Sequence, residues 1–565
     1  MTQESDRLTQ AAGEESTADL LIIGRVATLA GDHGFGWQSG IAIAGERVVG
    51  VGSESELQAF VGPGTERWRL GPNLLVVPGI TDAHLHLMTL VLAHRQVDLT
   101  GLDLPAALAA IGARHAALVA TGDRDNWLLG HGWAMHDLAG WPDAQMLEQV
   151  VPGRPIALFA HDHHSRWLSA AALQAANITS ATADPAGGLV RRDRDGNPTG
   201  ILHEAASVLV DAAIPDPPLP EIEAALAEVA RDLAALGVTG CHDPGVLTGD
   251  IDVERGPMLY RRLAGEGRLP LRVHASVRAP QLASAIGLGL RSGQRVGRYT
   301  MGWLKLFADG SLGSRSAAML APYSDAATNP PTGGSSGMFL TPPGDLADLA
   351  RDAEASGIAV QIHAIGDAAV RVVLDVFESL PPAPHGLPLM RRVEHAQLVD
   401  PVDAPRFGRL GVAASVQPVH LRSDAPQIAL GWGERGANAI PLRGLLDGGA
   451  LIPFGTDAPV EPPDPWPGLA VAVARRDPAD ESAVSIGPKQ AIDLARALRA
   501  ACVDPALVAG EDDLGRLTPG MRADLLVVPS AGFADPINAA ALAATRPLAT
   551  LIDGRVVHRD AHFDP

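Results

Sequence analysis

Two histidines separated by one apolar residue follow an apolar run near residue 80 of the chain. They are His84 and His86, which stand on either side of Leu85. In an extended strand, side chains two residues apart point in the same direction, so both imidazoles can bind one cation while Leu85 faces away. Neutral imidazole nitrogen is a common ligand of zinc and related ions. The spacing therefore predicts a metal site where this strand ends.

Further polar side chains lie within or directly after other apolar runs, namely Lys305, His363, His395 and Asp457. A lone histidine at a strand end is more often structural than a ligand, but four histidines at matched strand ends favour a metal centre. A charged lysine repels cations, so the alternative for Lys305 is a side chain that extends its charge into solvent. If the strands are parallel, their carboxyl ends open on one face, where active sites form. The pattern predicts a metal-dependent hydrolase site.

Apolar runs alternate with Ala- and Leu-rich stretches through the middle of the chain, as in a parallel sheet with crossover helices. We predict eight strands, at 75–80, 236–241, 270–276, 301–307, 358–363, 391–395, 412–417 and 451–456. Eight is the number that closes a TIM-type (β/α)8 barrel. We therefore expect an α/β barrel domain over 75–510.

The two ends of the chain, 18–74 and 511–565, have a different sequence pattern, in which short apolar strands are separated by polar turns. We expect them to pair into one small β-sandwich. Residues 1–17 are polar and acidic, and they lack the basic and apolar regions of a signal peptide. This composition predicts a disordered tail.

A long insertion, about 95–230, separates the first two predicted strands and is rich in tryptophan and histidine. An insertion that follows the carboxyl end of a barrel strand lies above the mouth, where substrate binds. Trp133 and His164 are therefore the preferred substrate-binding candidates. The alternative, that the histidines of the insertion are only polar surface, is equally open.

The charge and cysteine content limit the function classes. The chain has 65 acidic and 44 basic residues and a formal charge of −21, which argues against nucleic-acid or anionic-membrane partners because phosphate contacts need lysine and arginine. Two cysteines give neither a disulfide framework nor a cysteine-based zinc site and fit a reducing cytoplasm. No apolar run is long enough to span a bilayer. We expect a cytoplasmic protein with a small-molecule substrate and no nucleic-acid or membrane partner; a homo-oligomer is left open.

Several segments, in order along the chain, resemble the amidohydrolase superfamily, and within it the family-3 (YtcJ-like) branch. They lie at 78–86, 305–311, 363–367, 394–396, 455–460 and 514–525. Gly200 to Glu204 in the insertion is close to a Gly-x-x-x-Glu element of the branch. The resemblance covers roughly residues 18 to 560, and the branch includes deformylases of N-substituted formamides and other amide hydrolases.

The resemblance implies one or two divalent ions, with His84 and His86 on the first and His363 and His395 on the second. A desolvated lysine loses its proton readily, and in this superfamily it can then take up carbon dioxide, so Lys305 would bridge the ions as a carbamate. Glu204 is the rival bridge, and its alternative is a charge on a helix surface. Asp457 would bind one metal, accept a proton from water and pass it to the leaving amine. Nitrogen and oxygen ligands suit zinc, but also manganese, cobalt or nickel.

The predicted activity is hydrolysis of a non-peptide, amide-type C–N bond of a small molecule. A deaminase is an alternative, although cytosine-type deaminases of the superfamily resemble one another in a glutamate where this chain has Gly366. An ester or lactone hydrolase is open because the same hydroxide attacks either carbonyl. A non-catalytic metal-binding regulator would not need the proton acceptor Asp457.

Overall fold

The computed structural model describes residues 17–120, 122–123, 126–160, 165–185, 188–204, 206–247, 252–328, 331, 334–381, 386–480 and 482–565. The predicted tail, 1–17, lies outside these residues except for Thr17. The chain divides into two compact units, one formed by residues up to Met88 together with Ala230–Pro565, the other by Thr89–Val229. The second unit spans the stretch where the insertion is predicted.

A curled parallel sheet forms the centre of the first unit, in a mixed α/β arrangement consistent with a TIM-like barrel. Its neighbouring strands are, in order, Ile80–Asp82, Val238–Asp243, Arg272–Arg278, Tyr299–Phe307, Val360–Ala364, Arg392–His395 and Ala413–Ser415. Almost every residue in them is buried, as expected for a parallel sheet covered on both faces. The short strand Arg295–Val296 pairs antiparallel with Tyr299–Phe307.

The eighth predicted strand, 451–456, forms only a single parallel bridge, from Phe454 to Val416. The N–H of Ala83, just past the first strand, donates to the carbonyl of Phe454 at 2.9 Å. The segment thus has hydrogen bonds to both edges of the curled sheet, and it delivers Asp457 to the carboxyl end of the first strand.

Helices of the first unit follow or flank these strands. The α-helices are Glu54–Leu57, Pro257–Gly265, Leu282–Gly287, Pro343–Ala355, Asp367–Ser379, Ala404–Leu410, His420–Ser423, Ala425–Gln427, Leu442–Asp447, Pro465–Ala474, Leu494–Val508 and Ala539–Ala543. Shorter turns are Gln58–Phe60, Ala279–Gln281, Ile428–Trp432, Gly433–Asn438, Pro488–Gln490 and Ser530–Phe533. None of the helices in the described part of the chain is both long and apolar enough to cross a membrane.

The two ends of the chain pair in one eight-stranded sheet. Its strands are Leu20–Ala27, Trp37–Ala44, Arg47–Val51, Glu66–Arg69, Leu74–Pro78, Leu525–Pro529, Ala549–Ile552 and Arg555–Arg559. Leu74–Pro78 runs antiparallel to Leu525–Pro529, and Val76 and Leu525 share a core cluster with Trp68. Pairing between the ends is therefore present, whereas the sandwich of two facing sheets stays a prediction.

The predicted first barrel strand, 75–80, is divided between two sheets. Residues up to Pro78 belong to the terminal sheet and Ile80–Asp82 to the parallel sheet, with Gly79 between them. A Cβ at Gly79 would lie 2.5 Å from Thr239 Oγ1, so only glycine fits where the chain passes from one sheet to the other. The apolar run is continuous across this point, which is why the boundary is not visible in the sequence.

The second unit contains a six-stranded sheet. Its neighbouring strands are Gly188–Arg192, Pro198–Glu204, Ser165–Leu168, Ile156–Ala160, Leu128–Trp133 and Val97–Asp98. The helices are Leu104–Ala120, Ala144–Val150 and Ala170–Ala175, with the 3-10 segment Ser207–Ala213; Leu87–His94 and Leu219–Ala235 run across the unit boundaries. Trp133 and Trp167 belong to one of its core clusters.

Candidate metal centre

Asp457 stands between two pairs of buried histidines at the carboxyl end of the parallel sheet. Its Oδ1 lies 3.5 Å from His84 Nε2 and 3.3 Å from His86 Nε2. Its Oδ2 lies 3.9 Å from His395 Nδ1 and 3.3 Å from His420 Nε2. Each pair forms with Asp457 a group whose ligand atoms lie within 4.8 Å of one another. The carboxylate can therefore contribute to two adjacent cation sites.

His84 and His86 converge for a reason other than strand alternation. The first strand ends at Asp82, so both histidines lie in the following loop. There the N–H of Asp457 donates to the His84 carbonyl at 2.7 Å, and the N–H of His86 donates to the Ala458 carbonyl at 2.9 Å. These backbone bonds align the two loops and bring both imidazoles to the Asp457 carboxylate.

Two residues of the centre have left-handed backbone conformations, which are uncommon outside glycine. Asp457 has φ 62° and His395 has φ 72°. Such conformations cost free energy and cluster at functional sites, where the surroundings hold them in place. Here they turn both side chains away from the course of a regular strand.

The donor atoms fit a bound cation. Asp457 Oδ1 is buried and, among the described residues, has no hydrogen-bond donor, an arrangement that costs free energy unless another group compensates its charge. The Nδ1–H of His86 donates to the Gly245 carbonyl at 2.6 Å. In the neutral ring Nε2 is then unprotonated, and its lone pair is directed towards Asp457. Such outer hydrogen bonds commonly orient metal-binding histidines.

The protonation states agree with this fit. Burial lowers the pKa of His84 to about 4 and of His363 to about 3, and it holds the pKa of His395 well below its usual value. These imidazoles are therefore neutral and offer lone pairs. Burial raises the pKa of Asp457, but contacts with His420 and His86 outweigh it and hold that pKa well below its ordinary value. Asp457 is therefore an anion.

Lys305 is buried beside the histidines, with Nζ 3.5 Å from His84 Nε2. Burial lowers its pKa to about 8, so part of the amine is neutral near neutral pH. The chain has only one other lysine, Lys489, and otherwise uses arginine for positive charge. Arginine stays protonated in proteins, whereas a buried lysine loses its proton readily. A lysine at this position therefore supplies an amine that arginine could not.

The other predicted site residues have different surroundings. The His363 ring lies 4.5 Å from that of His395, but its Nε2 is 3.0 Å from the Gly310 carbonyl, and it is in neither group around Asp457. Glu204 is exposed at the end of a strand of the other unit. Trp133 is buried in the core of that unit, and its indole N–H donates to the Leu158 carbonyl at 2.9 Å. His164 lies outside the described residues.

Two residues that the sequence analysis did not select lie in the centre. His420 follows the seventh predicted strand, so the rule applied to the other strand ends would have identified it. Although burial lowers its pKa, contacts with Asp457 and Glu461 raise that pKa to about 10. Glu394 lies beneath His84, with Oε2 2.5 Å from Nδ1.

Arg392 holds Glu394 in position. Its Nε donates to Glu394 Oε1 at 2.8 Å and one terminal nitrogen to Oε2 at 3.0 Å. The same guanidinium donates to the carbonyl of Ala83, just past the first strand, and to Ser415 Oγ on the adjacent strand, at 2.7 and 2.9 Å. Glu394 is thus fixed as an acceptor for the Nδ1–H of His84, which leaves Nε2 free to bind a cation.

Glu394→Gln is expected to weaken metal binding by about 10–100-fold, the usual cost of losing such an outer contact, while the protein stays folded. Competition with a chelator measures the affinity, and circular dichroism checks the fold. Glu354→Gln is the matched control, because Glu354 is also buried and accepts two bonds from an arginine, Arg391, at 2.7 and 2.6 Å. Equal metal affinity in both variants would contradict the positioning role of Glu394.

The chain is similar in sequence to known hydrolases over most of its length. The sequence profile of the amidohydrolase family matches residues 72–558. The chain is 32% identical over 522 residues to the putative amidohydrolase YtcJ of Bacillus subtilis (strain 168), covering 90% of this chain and 94% of that protein. It is 27% identical over 544 residues to the N-substituted formamide deformylase of Arthrobacter pascens, covering 91% and 94%.

A solved structure has the same fold over most of its length. An uncharacterized metal-dependent hydrolase from Pyrococcus furiosus superposes with a TM-score of 0.72 at 26% identity, covering 90% of this chain and 98% of that one. A similar hydrolase from Pyrococcus horikoshii OT3 gives the same score and identity, with 90% and 96% covered.

Proposed function

The chain belongs to the amidohydrolase family, and from this premise we propose that it hydrolyses an amide-type, non-peptide C–N bond of a small molecule. The observation that carries the proposal is the anionic Asp457 carboxylate between two pairs of buried histidines. The formamide deformylase of Arthrobacter pascens supports the amide class, since it is similar over most of both chains.

One or two divalent ions, with zinc as the proposed metal, would polarise the scissile carbonyl and lower the pKa of a water molecule. His84 and His86 would hold one ion with Asp457, and His395 and His363 would hold the other. His420, whose pKa is raised to about 10 by contacts with Asp457 and Glu461, would instead donate a hydrogen bond to the Asp457 carboxylate. Lys305, as a carbamate, is proposed to supply the anionic bridge. Asp457 accepts a proton from the attacking water and donates it to the leaving nitrogen.

A substrate screen with metal analysis of the same sample tests this function. The purified protein is incubated with N-formyl, N-acyl and cyclic amides, and each amide is paired with its ester or lactone analogue. We expect hydrolysis of at least one amide class, loss of that activity with a chelator, and recovery on adding zinc. Hydrolysis of esters alone would identify an esterase instead, and hydrolysis unaffected by chelation would contradict the metal-dependent mechanism.

Lys305→Ala is expected to be inactive, and a short-chain acid such as acetate or propionate should restore part of the activity by filling the bridging position. Isotope labelling gives a second measurement. Protein equilibrated with ¹³C-bicarbonate should show one carbamate resonance, which disappears in Lys305→Ala.

The other lysine provides the control for this experiment. Lys489 is exposed, so Lys489→Ala should keep both the resonance and the activity. A parent protein without a carbamate signal, or an experimental structure with an unmodified Lys305 amine turned away from the ions, would contradict the carbamate and favour Glu204 as the bridge.

A further inference from the structure

Gln417 lies in the interior of the first unit, just past the seventh strand of the parallel sheet, and is 1% exposed. The N–H of Gly455 donates to the carbonyl of Val416 at 3.1 Å. The N–H of His420 donates to the carbonyl of Gln417, also at 3.1 Å. These backbone bonds hold Gln417 beside the segment that leads to Asp457.

The side-chain oxygen of Gln417 faces the ring of His395. Its Oε1 lies 2.8 Å from His395 Nδ1. In a neutral imidazole one ring nitrogen carries the proton and the other carries a lone pair, so a proton on Nδ1 leaves the lone pair on Nε2. The centre of this ring lies 4.5 Å from that of His363 and 4.8 Å from that of His84. The contact with Gln417 therefore selects which nitrogen of His395 is available to a cation.

The other end of the Gln417 amide has no comparable contact. Within the described part of the chain, its Nε2 is buried and has no hydrogen-bond partner. Such a group costs free energy, which an apolar side chain of similar size would avoid. If the amide were turned over, Nε2–H would donate to His395 Nδ1 and the proton of the ring would lie on its Nε2. The orientation of the amide and the tautomer of His395 are therefore coupled.

We propose that Gln417 is a positioning residue of the metal centre, whose Oε1 accepts the Nδ1–H of His395 and keeps Nε2 as the nitrogen that binds a cation. This inference rests on the proposed metal-dependent function. Outer hydrogen bonds of this kind orient metal-binding histidines, and losing one typically lowers metal affinity about 10–100-fold. Gln417 serves His395 as Glu394 serves His84, but with a neutral acceptor.

Metal affinity of the full-length chain, measured by competition with a chelator, tests this role. Gln417→Leu keeps the approximate size of the side chain but removes the acceptor, and we expect it to weaken the binding of one ion about 10–100-fold. Gln417→Glu keeps an acceptor, so it should bind metal at least as tightly as the parent, because a carboxylate is the stronger acceptor. A space-filling role predicts the reverse order, since a buried carboxylate is costlier than leucine.

Two further variants show whether Gln417 acts through His395. Adding Gln417→Leu to His395→Ala should not weaken metal binding beyond His395→Ala alone, because the two residues share one contact. Gln361→Leu is the matched control. Gln361 is also 1% exposed, and its amide donates to Ser276 Oγ at 2.8 Å, so this change should leave the metal affinity unchanged.

Circular dichroism checks the fold of each variant, and Gln417→Met replaces the leucine variant if that one does not fold. The role of Gln417 is overturned if the folded variant binds metal with parent affinity, if Gln417→Glu binds more weakly than Gln417→Leu, or if the effects of Gln417→Leu and His395→Ala add. A parent protein that binds no divalent metal would overturn the proposed function as well.

Discussion

Asp457→Asn should keep most of its bound metal and its substrate affinity but lose at least about 10²–10⁴-fold in kcat, the range typical of a lost general acid–base group. Asparagine preserves the shape of the side chain but cannot accept the proton from water. The histidines and the proposed bridge still hold the ions. Steady-state kinetics and metal analysis of the same sample separate the loss in kcat from a loss of metal.

The pH dependence gives an independent check on Asp457. Its pKa lies well below the ordinary value, so the carboxylate stays deprotonated until the pH falls through that lowered pKa. The parent should lose activity as the pH falls, first as His84 protonates near pH 4 and then as Asp457 does. Only the Asp457 part of this acidic limb should be absent from the residual activity of the asparagine variant. Near-parent kcat on any substrate that the parent hydrolyses would rule out the proposed mechanism.

Removal of one of the histidines around Asp457 should abolish hydrolysis and sharply reduce the amount of bound metal. His84→Ala and His395→Ala each delete an imidazole from one of the two groups around Asp457. Metal content by mass spectrometry should fall well below that of the parent in both variants, and added zinc should not restore full activity.

The control for these variants is another buried histidine of the same sheet. His274 lies on Arg272–Arg278, 3.3 Å from Glu511, and belongs to neither group. His274→Ala should change stability but not the metal content per folded chain. Unchanged metal in both His84→Ala and His395→Ala would exclude the proposed centre.

The sequence selected several residues that the structure brings together around Asp457, but it did not predict the contacts among them. His84, His86 and Asp457 are recognisable because histidine and aspartate are unusual directly after apolar runs. Glu394 stands directly before His395 in the predicted strand 391–395, but its contact with His84 depends on how two segments distant in sequence meet in space. Strand periodicity gives the direction of a side chain relative to its own sheet and does not give its neighbour across the interior.

The limits of the fold prediction have a similar origin. The parallel order of the strands follows from the alternation of strand and helix patterns. The division of 75–80 at Gly79 depends on the approach of Thr239, a residue of the next strand. Trp133 was selected because it lies in the insertion expected above the barrel mouth, yet its described contacts are those of a core side chain. Burial of an aromatic residue depends on packing that local sequence does not determine.

The antiparallel pair of Leu74–Pro78 with Leu525–Pro529 constrains the order of events during synthesis. Leu74–Pro78 leaves the ribosome long before its partner strand has been translated. Until then its edge presents unpaired backbone groups, which are prone to intermolecular pairing. Closing so long a loop is entropically costly, and contacts of this range form slowly. This strand pair can therefore form only after residue 529 has been translated, and we expect a nascent chain stalled before residue 525 to depend on chaperones for solubility.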